Sequence, residues 1–160
     1  MAGPAQPGAE VVIGRERPTG PDGRALIAGS EAALREVYTP EECFTLDAAE
    51  LEAPGIDFLV ARDAASGAAL GCVALVGCDG YGEIKRLFVR PEARGRGVGD
   101  ALMQAAEARA RDRGFALVRL ETGPRLAAAV ALYRRRGYRE RGPFGDYAPH
   151  PASLFMEKAL

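Results

Sequence analysis

The stretch Arg94-Gly95-Arg96-Gly97-Val98-Gly99 joins a strand-like run, residues 83–89, to a helix-like run that begins near Gly97. Three glycines in alternation leave backbone N–H groups unshielded by side chains. A helix that follows such a turn presents its unpaired first-turn N–H groups and its positive dipole end to an anion. The dipole alone contributes only about 0.3–1 kcal/mol, so convergent N–H donors and the two arginines must supply the rest. The stretch reads as a pyrophosphate cradle, and by itself it names no ligand. It lacks the Gly-Lys-Ser/Thr ending of a P-loop. Nor is it preceded by a first βαβ unit with an acidic residue about twenty positions on, as a dinucleotide fingerprint requires.

The neighbouring elements follow from periodicity and turn residues. Before the loop, residues 10–15 are β-rich and end ahead of Pro18, and residues 21–38 have the composition of a helix with Leu26, Leu34 and Val37 as apolar points. Residues 39–55 fit neither pattern. Residues 57–62 and 69–78 are β-like and flank Asp63-Ala64-Ala65-Ser66-Gly67, a hairpin signal, while Asp79-Gly80 turns the chain into a third run, residues 81–89. Three consecutive strands predict an antiparallel meander. After the loop, residues 97–113 place Val98, Ala101, Leu102, Ala105 and Arg109 at helical spacing, with Gly114 as C-cap. Residues 116–121 read as a buried strand. Pro124 is expected to open a second helix, in which Leu126, Ala129, Val130 and Tyr133 share a face until Gly137. Residues 138–141 and 153–158 read as terminal strands around a loop rich in proline and glycine.

Composition sets the bounds. At 160 residues and 48% hydrophobic content the chain suits one globular domain with a sizeable core, expected over residues 10–160. Residues 1–9 lack the apolar core of a signal peptide and read as a disordered tail, and no run approaches the length of a membrane span. A net charge of -1 gives no electrostatic reason to expect nucleic acid or an anionic membrane as partner. Cys43, Cys72 and Cys78 form neither a CxxC nor a zinc spacing, so no metal is expected and a reducing cytoplasm is the simplest setting.

The spacing Arg94-x-x-Gly97-x-Gly99, set after Glu83-Ile84-Lys85-Arg86-Leu87-Phe88-Val89-Arg90-Pro91, resembles the coenzyme-binding loop Gln/Arg-x-x-Gly-x-Gly/Ala of the GNAT superfamily of acetyl-CoA-dependent N-acetyltransferases. The likeness extends over nearly the whole chain, because Ala129-x-x-Leu132-Tyr133-x-x-x-Gly137-Tyr138 is similar to a second signature of that family. The resemblance implies an α/β fold built on a single mixed, mostly antiparallel sheet with helices on both faces and strands four and five splayed. It implies acetyl-CoA as acyl donor. The pantetheine arm would lie in the wedge between residues 83–89 and 116–121, held by backbone groups of Leu87, Phe88 and Val89, with an N–H polarising the thioester carbonyl. Arg94, Gly95, Arg96, Gly97, Val98 and Gly99 would then hold the pyrophosphate. One position departs from the pattern: Leu126 stands where the family often has an asparagine that contacts pantetheine.

Acetyl transfer to an amine requires that the nitrogen lose a proton and that the departing thiolate be stabilised or protonated. By resemblance, Tyr133 faces the coenzyme sulfur as the acid; its other reading is an amphipathic core tyrosine. Glu83, six positions before Val89, is placed like the catalytic glutamate of the family's histone-acetylating branch, and a desolvated carboxylate has the raised pKa a base needs. Its other reading is a carboxylate paired with Lys85 or Arg86, and Glu121 across the wedge is the reserve. Acceptor contacts are expected from Phe144, Asp146 and Tyr147 of the loop between the last two strands, with Glu121. The expected enzyme is thus an N-acetyltransferase with a small-molecule or amino-acid-like amine as partner, either monomer or homodimer. The alternatives are a non-catalytic acyl-CoA-binding or regulatory module and a protein or peptide N-acetyltransferase.

Overall fold

A computed structural model describes residues 10–160, so the tail expected over residues 1–9 lies outside the described residues. The elements in chain order are β1 (Val11–Arg15), α1 (Pro21–Arg35), β2 (Ile56–Asp63), β3 (Ala69–Gly77), β4 (Gly82–Val89), α2 (Val98–Asp112), β5 (Leu117–Thr122), α3 (Ala127–Arg135), β6 (Arg139–Arg141) and β7 (Leu154–Ala159). They form one sheet in the order β1-β2-β3-β4-β5-β7-β6. All its pairings are antiparallel except β4 with β5. The mixed, mostly antiparallel sheet expected from the sequence is therefore the sheet observed.

Each face of the sheet is covered by apolar helix stripes. Val98, Leu102, Met103, Ala106 and Ala110 of α2 pack with Leu132 and Tyr133 of α3 on Val73, Leu75, Ile84, Val118 and Leu120. On the other face Leu26 and Ile27 of α1, with Leu51 and Ala48 from the loop after it, pack on Phe58, Val60, Cys72 and Phe88. The hairpin between β2 and β3 forms as its sequence predicts. Asp63 Oδ1 accepts from the backbone N–H groups of Ala65 and Ser66, and Gly67 takes φ 76° to return the chain.

Two helix boundaries differ from expectation. Helix α1 stops at Arg35 rather than at residue 38, because the N–H groups of Val37 and Tyr38 both converge on the Leu34 carbonyl and close a terminal turn ahead of Pro40. Helix α3 begins at Ala127 rather than at Pro124. The Leu126 N–H bonds to the Gly123 carbonyl in a separate turn, and the Arg125 N–H is taken by the Tyr38 hydroxyl at 2.8 Å. The segment that the sequence left open, residues 39–55, is held by local capping. Thr39 and Glu42 bond reciprocally, as do Asp47 and Glu50, while Leu51 anchors the loop in the core.

Candidate active site

Strands β4 and β5 are paired only from Gly82 to Ile84, opposite Val118 to Leu120, and then part. The cause lies in β4. Cys72 faces Phe88 while Ala74 faces Lys85, so β4 carries an extra residue relative to β3, a bulge that bends it. Arg86 sits in the bulge at φ 57°, the only left-handed non-glycine residue among the described residues. Such a conformation costs about 1–3 kcal/mol and persists only where surrounding contacts fix it. Here they do: the buried guanidinium donates to Leu46 O (2.9 Å), Ser30 Oγ (3.3 Å) and Glu31 Oε1 (3.0 Å). Past the bulge, Leu87 and Val89 pack toward α2, Phe88 packs toward α1, and the backbone edge of these residues has no strand partner on the β5 side.

The glycine loop closes one end of this wedge. Gly95 (φ 80°) and Gly97 (φ 78°) are both left-handed, and no atom lies within 4 Å of where a Cβ would stand on either. Gly97 is the N-cap of α2, so the first-turn N–H groups of that helix open onto the same space. This open cradle at a helix N-terminus fits a pyrophosphate. Arg94 lines it and forms no ion pair among the described residues, whereas Arg96 turns away to Asp63 at 2.8 Å. At Gly99 a Cβ would stand 3.1 Å from Leu132 Cδ2, which is why α2 and α3 approach so closely here.

The wedge and the loop enclose a single cleft of about 590 Å³. It brings together Leu87, Phe88, Val89, Arg94, Gly95, Gly97, Val98 and Gly99 with Glu121 and Tyr133. Burial, helped by the nearby Glu121 charge, pushes the Tyr133 pKa up, so its hydroxyl stays protonated. That hydroxyl has no hydrogen-bond partner among the described residues. Burial likewise pushes Glu121 up to about 7, against opposing effects of Ser153 and Lys85. Ser153 Oγ is buried without a partner of normal geometry, so it lies beside the Glu121 carboxyl without closing a bond to it.

The other expected residues lie elsewhere. Glu83 is 6% exposed and does not line the cleft; its Oε2 accepts from Tyr147 Oη at 2.6 Å and lies 3.3 Å from Lys85 Nζ. Phe144 is buried edge-to-face against Tyr81 and Phe155, and Asp146 is exposed with no partner among the described residues. Tyr147 stands behind Lys85 rather than on the cleft surface. Among the cleft residues to which the sequence assigned no place in the site are Tyr38, Glu42, Cys43, Phe44 and Lys85. Only Lys85 carried a signal, sharing a strand face with Glu83. The others come from the segment without periodicity or, for Tyr38, from the turn that follows α1. Among the described residues no three His, Cys, Asp or Glu side chains converge on a metal-sized site, and no helix is long and apolar enough to cross a membrane.

Residues 25–138 match the Acetyltransferase (GNAT) family. The chain is 43% identical over 150 residues to an IAA acetyltransferase of Azospirillum brasilense, covering 94% of this chain and 98% of that one. Among solved structures, a Klebsiella pneumoniae protein assigned as an acyl-CoA N-acyltransferase superposes with a TM-score of 0.84 at 38% identity, covering 95% of this chain and 99% of that one. The PaiA N-acetyltransferase of Thermoplasma acidophilum, solved with coenzyme A, has a TM-score of 0.71 over 94% of this chain and 99% of that one. At 18% identity it shares the fold alone.

Proposed function

This chain belongs to the GNAT acetyltransferase family and is an acyl-CoA-dependent N-acyltransferase, and from that premise we propose that it moves the acetyl group of acetyl-CoA to the nitrogen of a small-molecule amine. The observation that carries this reading is the parting of β4 from β5 beside Glu121 and Tyr133, in one cleft with the glycine loop. Acetyl-CoA supplies the acyl group as a thioester. The unpaired backbone edge at Leu87, Phe88 and Val89 bonds the pantetheine arm and directs an N–H at the carbonyl, and Gly95, Gly97, Val98, Gly99 and Arg94 take the pyrophosphate. Arg96, held by Asp63, contributes its backbone at most.

Glu121 is the base. Its carboxyl faces the cleft and titrates near neutral pH, so it accepts the proton the amine sheds as the N–C bond forms. Tyr133 is the acid, delivering its hydroxyl proton to the sulfur as the C–S bond breaks. Glu83, first in line from the sequence, is already engaged by Tyr147 and Lys85 and acts by holding them.

The test is free-thiol release from acetyl-CoA by the purified chain against pools of amines, amino acids and peptides. Release with the small-molecule pools supports the reading, and release with peptides alone moves the acceptor to proteins. Coenzyme binding without release from any pool makes the chain a binding module. Gly97→Val, which places a β-branched residue at φ 78°, should lose coenzyme binding while circular dichroism shows the fold intact.

A further inference from the structure

Strand β7 runs antiparallel to β5 with Phe155 opposite Glu121 and Leu154 opposite Thr122. One residue ahead of β7, Ser153 falls diagonal to Glu121, on the face that Glu121 and Phe155 share, where side chains of paired strands come within reach of one another. A tight turn fixes its backbone there: the Ser153 N–H donates to His150 O and the Ala152 N–H to His150 Nδ1, both at 3.0 Å. Its hydroxyl is nevertheless idle. Ser153 Oγ is the one buried side-chain oxygen or nitrogen among the described residues without a hydrogen bond. Buried polar groups are nearly always paired, so this orphan points to a state of the molecule in which it is used.

The other groups that face Glu121 cannot answer a change in its charge. Lys85 and Glu83 of β4 act on it with opposite signs and are bound to each other at 3.3 Å. Cys43 in the loop after α1, Tyr133 on α3 and Tyr147 in the loop before β7 are each pushed up by burial and stay protonated near neutral pH. The Ser153 hydroxyl can answer, because its hydrogen rotates to suit an acceptor. A donor of this kind stabilises the ionised carboxylate more than the protonated carboxyl. Burial pushes Glu121 up to about 7, and of the groups that draw it back down Ser153 acts more strongly than Lys85.

We propose that Ser153 is a positioning residue for Glu121: its hydroxyl, unpaired while the carboxyl is protonated, donates to the carboxylate once it forms and so sets both the basicity of Glu121 and the direction in which its free oxygen points. This inference rests on Glu121 as the base of the acetyl-transfer reading above.

Carbon-13 NMR of the glutamate-labelled full chain, with the Glu121 signal assigned by its loss in Glu121→Gln, reads the titration directly and needs no acceptor. Ser153→Ala removes an atom that has no partner, so the fold is expected to hold. The Glu121 midpoint should rise by about 0.5–1 in pH, and Ser153→Thr, which keeps the hydroxyl, should return it toward the native value. A midpoint that stays or falls in Ser153→Ala overturns the inference. An equal rise in Ser153→Thr does so too, because it assigns the effect to altered packing rather than to the hydroxyl. The acid limb of kcat/KM should move with the midpoint. If the midpoint moves and that limb does not, the pairing of Ser153 with Glu121 stands and the reading of Glu121 as base fails.

Discussion

Tyr147 donates its phenolic hydrogen to Glu83 across 2.6 Å, and this bond between residues 64 positions apart ties the loop before β7 to the start of β4. It also decides which carboxyl is free. Glu83 is engaged by Tyr147 and Lys85, while Glu121, on the neighbouring strand, is left facing the cleft.

The two glutamates should therefore separate by mutation and by pH. With Glu121 near 7, the deprotonated base is present above that pH, so kcat/KM is expected to fall as pH drops through about 7. An acceptor whose amine titrates well above that value keeps the two ionisations apart. Glu121→Gln should cost about 10²-fold in kcat/KM and abolish this limb. Glu83→Gln should retain the limb and change mainly the acceptor KM, and a limb lost in that variant instead would return the base to Glu83.

Tyr133→Phe removes the hydroxyl without changing the packing against Tyr138, whose ring lies 5.9 Å away. The expected outcome is a fall in kcat of about 10²-fold with the acetyl-CoA Kd nearly unchanged. Single-turnover rates alongside calorimetric binding distinguish this from a loss of affinity.

Arg86→Ala should both destabilise the fold and weaken coenzyme binding, because the bulge that parts β4 from β5 depends on the Arg86 contacts. A loss of about 2–4 kcal/mol is expected in urea unfolding, from the left-handed conformation and the unpaired groups together. Arg86→Gly relieves the first effect and not the second, so it should lie between Arg86→Ala and the native chain.

Glu107 is a buried residue of α2 and accepts from Tyr138 Oη (3.0 Å), Arg136 Nη2 (3.1 Å) and Lys158 Nζ (2.8 Å). Burial pushes its pKa up, but the donors outweigh burial and the net value lies below the ordinary 4.5. The folded carboxyl is thus the more acidic one. Its stabilisation is complete above pH 4.5 and is lost as pH falls below that value toward the folded pKa. Glu107→Leu leaves Lys158 without its carboxylate and Arg136 with only Asp100 at 3.7 Å, and should cost about 3 kcal/mol near neutral pH, with a melting curve that depends less on pH below 4.5.

Much of this architecture was legible in the chain because it rests on local chemistry. The strand and helix runs around the glycine loop, the hairpin at Asp63 and the meander that follows are written in residue types at short spacing. Residues 39–55 were not legible, because two capping pairs and one buried leucine hold them without periodicity. Pro124 misled because its fixed φ suits a helix start equally well as a turn, and Tyr38 at a distance took the N–H that followed it.

The sequence by itself determined the open turn at Gly95 and Gly97 and the helix start that follows it, since only glycine reaches those φ values freely. Tertiary structure decided the rest of the site. Arginine has no preference for φ 57°, and Arg86 takes that conformation only because Ser30, Glu31 and Leu46 converge on it from other elements. Glu83 and Glu121 are the same residue type on adjacent strands, and no local pattern ranks them. Burial and the position of Tyr147, both products of long-range packing, assign one to the framework and leave the other at the cleft.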